Sequence, residues 1–572
     1  MPIVAALLPL IFPPSVQARE ELFRFDRLDD LASYNPGGQN RPLLQVMTTP
    51  GLTPGIRVTF DNPGNPWDAQ IGRPALGAVR EGDAIRFQFS ARMTGTGTIV
   101  AVFEQASPPN TKIIAQPVGA DGTWRSFQIT RQTGASYAAG ETSIKFFFVG
   151  KGVAELSNVA VTNLGGIAGP FGIDDKVGSF KRQRDEALLR TARNNIATMR
   201  RGPLALTVLG KNGKPLANAS VRVQETRSAF RWGTAVVADL LNSNTPEAER
   251  YKAIVAREFN TVVFENDLKW RDDSPAPLNA ALRAMPWLAA HDIRVRGHNL
   301  VWGADQYLPT VVKQAPNDAK WPLIQAHIRE YAGATKGKVY VWDVVNEAVT
   351  NTQLWEQIGW DKFPAVYKLT HQVDPKAALA YNEYNIQIPS HRKIAIQRVK
   401  ALQAAGAPVT LFGDQGHYGL PEPSARAVWD GWEEIRTATG LPIEITEYDF
   451  GTPDDAVYAE QIEDAMTLAF GHPSMRGFVM WGFWEGAHWR AREGGAIVRR
   501  DFSYRAPMTK FHDLVHRVWN TDATLKTDAR GRLRLPAYYG TYRVSAGTMN
   551  AVVTHAAPAK AGGITTATVR LR

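Results

Sequence analysis

Residues 339–347 read VYVWDVVNE. Val339, Val341, Val344 and Val345 are β-branched, and Tyr340 and Trp342 stand between them, which is the composition of a buried strand. The run ends in Asn346 and Glu347 instead of further apolar residues. A second apolar run, PIEITE, ends the same way at Glu447. A carboxylate at the end of a buried strand must be neutralised or paired, which costs folding free energy. Such positions serve chemistry more often than packing.

Working outward from this strand, apolar runs alternate with longer helical patterns from 229 to 520. RWGTAVV, NTVVF, IRVRGHNLV, VYVWDVV, AALAYNE, PVTLFGD, PIEITE and FVMWGF are the candidate strands. Stretches such as EAERYKAIVAREF, WPLIQAHIREYAG and HRKIAIQRVKALQAAG fill the gaps. Eight alternating units predict a (β/α)8 barrel, an α/β fold whose active site gathers at the C-terminal ends of its strands.

Polar residues stand at those ends. Glu265 and Asn266 follow the second strand, with Lys269 and Trp270 beyond. His298, Asn299 and Trp302 belong to the third, Asn346 and Glu347 to the fourth, and Asn382, Glu383 and Tyr384 to the fifth. Gln415 and His417 follow the sixth, Glu447 and Asp449 close the seventh, and Trp481, Trp484 and Trp489 follow the eighth. Amides and carboxylates form forked hydrogen bonds to hydroxyls, and indole faces stack on sugar C–H surfaces. Singly, each residue has a structural reading: a satisfied histidine, a Glu265–Lys269 ion pair, tryptophans plugging the barrel mouth. Seven strand ends of one chemical class point together to a carbohydrate site. No HxH or HExxH spacing, phosphate loop or dinucleotide turn accompanies them, so neither a metal nor a cofactor is expected there.

The flanks differ from the barrel. Residues 19–165 carry short alternating runs, AIRFQFSARM, TIVAVFEQ, TWRSFQIT, TSIKFFFVG and AELSNVAVTN, that predict a β-sandwich. Residues 166–228 hold a glycine-rich linker, a helix with a basic face (Lys181–Arg201) and a β-hairpin turning at Lys211–Pro215. Residues 521–572 read as a β appendage that packs with the hairpin into one small accessory sheet. Residues 1–18 have an apolar run and a small-residue cleavage pattern ending at Ala18, as in a secretory signal, though no basic residue precedes the run. Export from the cytoplasm is therefore expected. The net charge of +10 over 572 residues is a mild bias, and no nucleic-acid motif accompanies it. There is no cysteine, which excludes disulfides and thiolate metal sites. A monomer without nucleic-acid or membrane partners is expected.

FENDLKW, RGHNLVW, VWDVVNEA, YNEYN, QGHY, ITEYD and WGFWEGAHW occur in this order. The set resembles the signatures of glycoside hydrolase family 10, the retaining endo-β-1,4-xylanases. PWDAQIGRP, FSARMTGTG, DGTWRSFQIT and ELSNVAVTNLG are similar to the carbohydrate-binding modules attached to plant-cell-wall hydrolases, with Trp67, Phe103 and Tyr137 as candidates for a sugar-binding face. The resemblance implies that Glu347 is the general acid/base and Glu447 the nucleophile. It implies that Asn346 holds the 2-hydroxyl of the sugar being cleaved and orients Glu447, and that His417 contacts the nucleophile with Asp449 behind it. Glu265, Asn266 and Lys269 would bind sugar hydroxyls beside His298 and Trp302. Trp481 and Trp489 would form floor and lid, and Gln415 and Tyr384 would line the pocket. Asn299, Gly303, Asp267 and Tyr448 depart from the common family pattern without touching the catalytic pair.

The function so implied is hydrolysis of β-1,4-xylosidic bonds in xylan or xylo-oligosaccharides through a covalent glycosyl-enzyme. The alternatives are a related barrel β-glycanase on another β-glucan, or a non-catalytic polysaccharide-binding protein. One glutamate must be neutral while the other is ionised. Ionised Glu447 is expected to keep Glu347 protonated by repulsion.

Overall fold

A computed structural model describes residues 20–24, 40–47, 55–166 apart from 119, 121 and 123, 172–173, 184–273, 276–419, 423–452, 454–557 and 563–572. The leader-like residues 1–18, Gly169–Pro170 of the linker and residues 181–183 of the basic run lie outside them. The chain divides into two units, residues 1–182 with 420–424, and 183–419 with 425–572.

Eight strands of the second unit close into a ring: Arg231–Val236, Thr261–Phe264, Arg294–Trp302, Val339–Asn346, Ala378–Glu383, Leu411–Asp414, Ile443–Gly451 and Met475–Met480. They are numbered here as barrel strands 1 to 8. Every neighbouring pair is parallel, and the eighth pairs with the first. Parallel strands need crossovers, and the helices between them cover the ring outside. A short extra strand, His417–Gly419, pairs with strand 7 beyond the ring and sets His417 opposite Asp449.

Inside the ring lies a buried charged floor. Arg296 of strand 3 is fully buried and binds both Asp343 of strand 4 and Glu444 of strand 7. Arg231 and the Tyr340 hydroxyl, at 3.0 Å, also bind Glu444. A buried ion pair is maintained only when its remaining lone pairs and protons are satisfied, as they are here.

The helix Glu186–Met199 buries Leu188, Leu189, Ala192 and Ile196, with Asp185 capping it through Leu188 N at 2.9 Å. It docks on the helix Asp455–Gly471, where a Cβ on Gly471 would lie 2.5 Å from the carbonyl oxygen of Ala192. Arg200 then donates to the carbonyls of Phe470, His472 and Met475 at 2.7–2.9 Å.

The expected hairpin forms only at its turn, where Leu209 bridges Pro215 and Gly210 N donates to the Lys214 carbonyl at 2.9 Å, and its two strands do not pair with each other. Residues Arg201–Leu209 pair with Arg532–Tyr538 and Thr565–Arg570, whereas Ser220–Ser228 pairs with Asp522–Lys526 and Gly540–Ala546. The turn around Gly213 thus carries the chain from one sheet to another. The two β pieces do combine, but as two small sheets instead of one. They share a core that includes Leu204, Leu206, Val221, Val223, Leu535, Tyr542 and Val544. Inward residues alternate on both strands, so either partner choice buries them equally; the alternation alone does not identify the neighbour.

In the first unit, TSIKFFFVG and AELSNVAVTN form one 22-residue strand, Thr142–Asn163, instead of two. Its first half pairs with Gln70–Pro74 and Thr98–Gln105, and its second half with Gly55–Asn62 and Ala84–Gly95. The two halves therefore join two sheets around one core rich in phenylalanine. Phe103 is 0% exposed in that core, which removes it from any sugar-binding face, and Tyr137 packs against the same core. Trp67, on the turn Pro66–Asp68, is 38% exposed. Among the described residues no helix is long and apolar enough to cross a membrane.

The accessory sheets contain a buried acid, Glu225, whose carboxyl burial pushes up to about 8 against a hydrogen bond from Thr521 N and the hydroxyl of Tyr542. A carboxyl raised in the folded state contributes stability at low pH that is lost as pH rises from the ordinary glutamate range through the folded value. The melting temperature of Glu225→Gln should therefore gain on that of the unaltered chain as pH rises from 4.5 to 8, and be the higher of the two at pH 8. Identical pH profiles for the two proteins would contradict this.

Candidate active site

Glu347 follows the last residue of strand 4 with φ of 58°, in the left-handed region that non-glycine residues rarely occupy. The geometry turns its side chain out of the strand direction and over the ring mouth, where four donors meet it. Trp302 Nε1 (3.1 Å) and Asn351 Nδ2 (2.7 Å) reach Oε2; Gln415 Nε2 (2.9 Å) and Asn346 Nδ2 (3.2 Å) reach Oε1. Burial is the largest influence on this carboxyl and, with repulsion from Glu447 and Glu383, pushes it up to about 7, while Gln415 and Trp302 act in the opposite direction. Repulsion from Glu447 contributes, but desolvation and not that charge is the main reason Glu347 holds its proton.

Glu447 sits inside strand 7, nearly fully buried. Burial would raise it as well, but His298, His417 and Lys269 outweigh that penalty and hold it below the usual glutamate range. His417 Nε2 lies 3.3 Å from Oε2, and Asn382 Nδ2 donates to Oε1 at 2.7 Å. The same Asn382 amide donates to Asn346 Oδ1 at 2.8 Å, and Thr446 fixes its carbonyl at 2.7 Å. Asn346 therefore reaches Glu447 through Asn382, not directly as expected. A continuous chain of hydrogen bonds runs from Glu347 through Asn346 and Asn382 to Glu447.

Behind this pair the partners are charged. His417 Nδ1 meets Asp449 Oδ2 at 3.1 Å, and Asp449 also accepts from Trp489 Nε1 (2.6 Å) and Arg490 Nη1 (2.7 Å). Burial would lower His417, yet Asp449 and Glu447 raise it to about 10, so it is an imidazolium at neutral pH. Asp449, despite burial, is held at about 2 by His417 and Arg490. His298 Nδ1 lies 3.0 Å from Asp343 Oδ2, which connects the site to the charged floor.

The other expected residues gather at the same mouth. Trp481, almost fully buried, meets His298 and His417 edge-on, and Trp489, 58% exposed, meets His417 edge-on at 5.1 Å. Lys269 Nζ lies 5.5 Å from both the Trp302 and Trp481 rings and 3.2 Å from Asn266 Oδ1. No Glu265–Lys269 ion pair forms among the described residues; burial lowers Lys269 and raises Glu265 from their ordinary values. Tyr384 bonds Thr350 at 3.0 Å beside Glu347. A cleft of about 650 Å³, lined by Asn266, Lys269, Trp270, Asn299, Trp302 and Tyr307, continues from the mouth. Trp484 is separate: it stacks on Phe502 and bonds the Arg500 carbonyl.

Sequence reasoning missed Asn351, Tyr307, Asp343 and Arg490. Asp343 had a signal, a lone acid inside an apolar strand. Asn351 had a weaker one. A Cβ at Gly303 would lie 2.6 Å from the Asn351 carbonyl, so the glycine permits the approach that brings Asn351 to Glu347. Tyr307 stacks on Trp302 at 3.5 Å.

The family model described as glycosyl hydrolase family 10 matches residues 223–508, half of the chain. The chain is 30% identical over 358 residues to anti-sigma-I factor RsgI6 of Acetivibrio thermocellus, covering 62% of this chain and 46% of that protein. It is 27% identical over 354 residues to endo-1,4-β-xylanase 1 of Arabidopsis thaliana, covering 60% and 36%. The chain thus spans less than half the length of these two relatives. A solved endoxylanase retrieved from a sugarcane soil metagenome is 26% identical and matches 50% of this chain and 96% of its own with a TM-score of 0.46. On the strength of the family match over residues 223–508, the chain belongs to glycosyl hydrolase family 10.

Proposed function

We propose that this chain is a retaining endo-hydrolase of β-1,4-xylosidic bonds in xylan. The observation that carries the reading is the opposite treatment of two glutamates in one hydrogen-bonded cluster: Glu347 raised to about 7 and Glu447 lowered. The names of the relatives, several of them endo-1,4-β-xylanases, supply the substrate class.

A glycosidic oxygen leaves only as it is protonated, and the anomeric carbon becomes oxocarbenium-like as the bond breaks. Protonated Glu347 gives its proton to the leaving oxygen, and the Glu447 carboxylate bonds to the anomeric carbon. Glu447 is then a neutral ester, and the repulsion it exerted on Glu347 is gone. Glu347, now ionised, removes a proton from water as that water attacks the same carbon, and Glu447 departs as carboxylate. His417 and Asn382 keep Glu447 ionised and aimed. Asn346, Lys269, Asn266 and Glu265 are placed to bind hydroxyls, and the Trp302 and Trp481 faces to stack on rings.

The exposed indole of Trp489, pinned by Asp449, is the group we assign to excluding a hydroxymethyl substituent. Trp67 makes the N-terminal sandwich a candidate sugar-binding module. A polymeric substrate also favours action outside the cell.

The profile of kcat/KM against pH should lose activity above about 7 as Glu347 ionises, and below the ordinary glutamate range as Glu447 protonates. Gln415→Ala removes a donor that favours ionised Glu347, so its alkaline limb should move up by roughly half to one pH unit. His417→Ala should move the acid limb up, because Glu447 loses a partner for its charge. Glu347→Ala should still release one equivalent of phenol in a rapid burst from a dinitrophenyl xylobioside, whose leaving group needs no proton, and then turn over about 10²–10⁴-fold more slowly. Glu447→Gln should bind xylo-oligosaccharides and give no burst; a burst from it would remove Glu447 as nucleophile. Trp489→Ala should raise activity on cellulose relative to xylan, and an unchanged ratio would reject its assigned role. Release of xylo-oligosaccharides from purified glucuronoxylan tests the substrate class; glucan cleavage with xylan untouched would overturn it.

A further inference from the structure

The first and last crossover helices of the barrel meet because strands 1 and 8 pair. At this seam Glu258 ends the helix Pro246–Glu258, and His512 and His516 lie on the helix Ala506–Asp513 and the turn that continues it. None of the three touches the carboxylate cluster. Glu258 is buried to 1% exposure, yet no substrate role accounts for it. We propose that Glu258, His512 and His516 form a binding site for one divalent ion of the zinc class, which bridges the two helices.

The donor geometry supports this. Nδ1 of His512 lies 2.9 Å and Nε2 of His516 lies 3.2 Å from the same oxygen, Oε2 of Glu258. The three donor atoms all lie within 4.8 Å of one another. Ligands about 2.0–2.1 Å from a tetrahedral zinc stand roughly 3.3 Å apart, close to these separations. The buried Nε2 of His516 pairs with the carboxylate at 3.2 Å, outside the alignment of a good hydrogen bond. A nitrogen so placed, at the same oxygen as His512, is positioned to share an ion with the carboxylate.

The surroundings hold the carboxylate in that pose. The other oxygen, Oε1, is occupied by Arg257 Nε at 2.8 Å and the Tyr504 hydroxyl at 2.9 Å, which leaves Oε2 facing the rings. Hydrogen-bonded carboxylates of this kind orient metal ligands. The two histidines are four residues apart, and the segment carrying the second, Leu514–Val518, is a π turn closed by Trp519 N to Leu514 O at 2.8 Å. Such turns carry an extra residue and often re-aim side chains at functional sites. Both histidine side chains are about 30% exposed, so water can enter and complete the coordination.

The donor set selects the ion. Two imidazoles with one carboxylate suit Zn²⁺, Co²⁺ or Ni²⁺, whereas Ca²⁺ and Mg²⁺ require oxygen shells. With three protein ligands the site would tie the first and last barrel units together. An ion bound only to the folded state stabilises it by mass action.

The test uses the full chain stripped with a chelator and titrated with Co²⁺, read by the visible absorption of the tetrahedral ion, and then with competing Zn²⁺. One equivalent should bind saturably and raise the melting temperature by a few degrees. The double variant His512→Ala/His516→Ala, and His516→Gln alone, which preserves side-chain bulk, should each weaken binding by about 10²-fold, with the rate on xylan unchanged. No saturable uptake by the unaltered chain would overturn the proposal and leave the triad an ion-paired clamp. Uptake unaffected by either variant would equally overturn it, by placing the ion on other histidines.

Discussion

Two glutamates share one small, largely desolvated space, and water cannot stabilise both charges there. Each must be neutral or supplied with partners. Glu347 takes the first course: burial keeps its proton on, and its four donors moderate the effect without reversing it. Glu447 takes the second, with His417 as an imidazolium, and His298 and Lys269 beside it. In the proposed reaction the acid and the nucleophile are thus told apart by surroundings, since both residues are the same amino acid at the mouth ends of two strands.

That difference requires rigid placement, which the barrel provides. Asn382 stands on strand 5 between the strands bearing Asn346 and Thr446, and its single amide serves Asn346 and Glu447 together. Below, Arg296 binds acids from strands 4 and 7 at once, tying the two strands that carry the catalytic glutamates. One of those acids, Asp343, also orients His298. The charged floor and the mouth are therefore one connected polar column inside an apolar shell. Removing a member would leave a buried charge unpaired, a costly outcome.

Much of this was legible in the sequence. The eight apolar runs between helical patterns predict a parallel sheet, because strands joined by crossover helices pair in parallel, and eight such units fit a closed ring. Residues at run ends then fall at the mouth, which is why Glu347, Glu447, His417 and Trp481 could be named. What escaped depends on partners distant in sequence. Asn351 and Tyr307 sit in loops whose path no periodicity describes. The dominance of burial over repulsion at Glu347 follows from packing density around it. Phe103 alternates like its neighbours, and only the way the sheets stack decides that it faces the core. The strand around 201–209 pairs with residues more than three hundred positions later, a choice that local alternation leaves undetermined. The long strand Thr142–Asn163 was divided by Gly150 and Gly152, which read as turn residues although the strand runs through them.

The central claim is that Glu447 bonds to the sugar while Glu347 manages the proton. An activated 2-deoxy-2-fluoro-xylobioside tests it most directly: the fluorine destabilises the oxocarbenium-like state in both steps, and the good leaving group preserves the first. Mass spectrometry of the inactivated, digested protein should find one fluoroxylobiosyl group per chain, on the peptide carrying Glu447. Attachment to Glu347 or elsewhere, or continued turnover of the reagent without any adduct, would contradict the account.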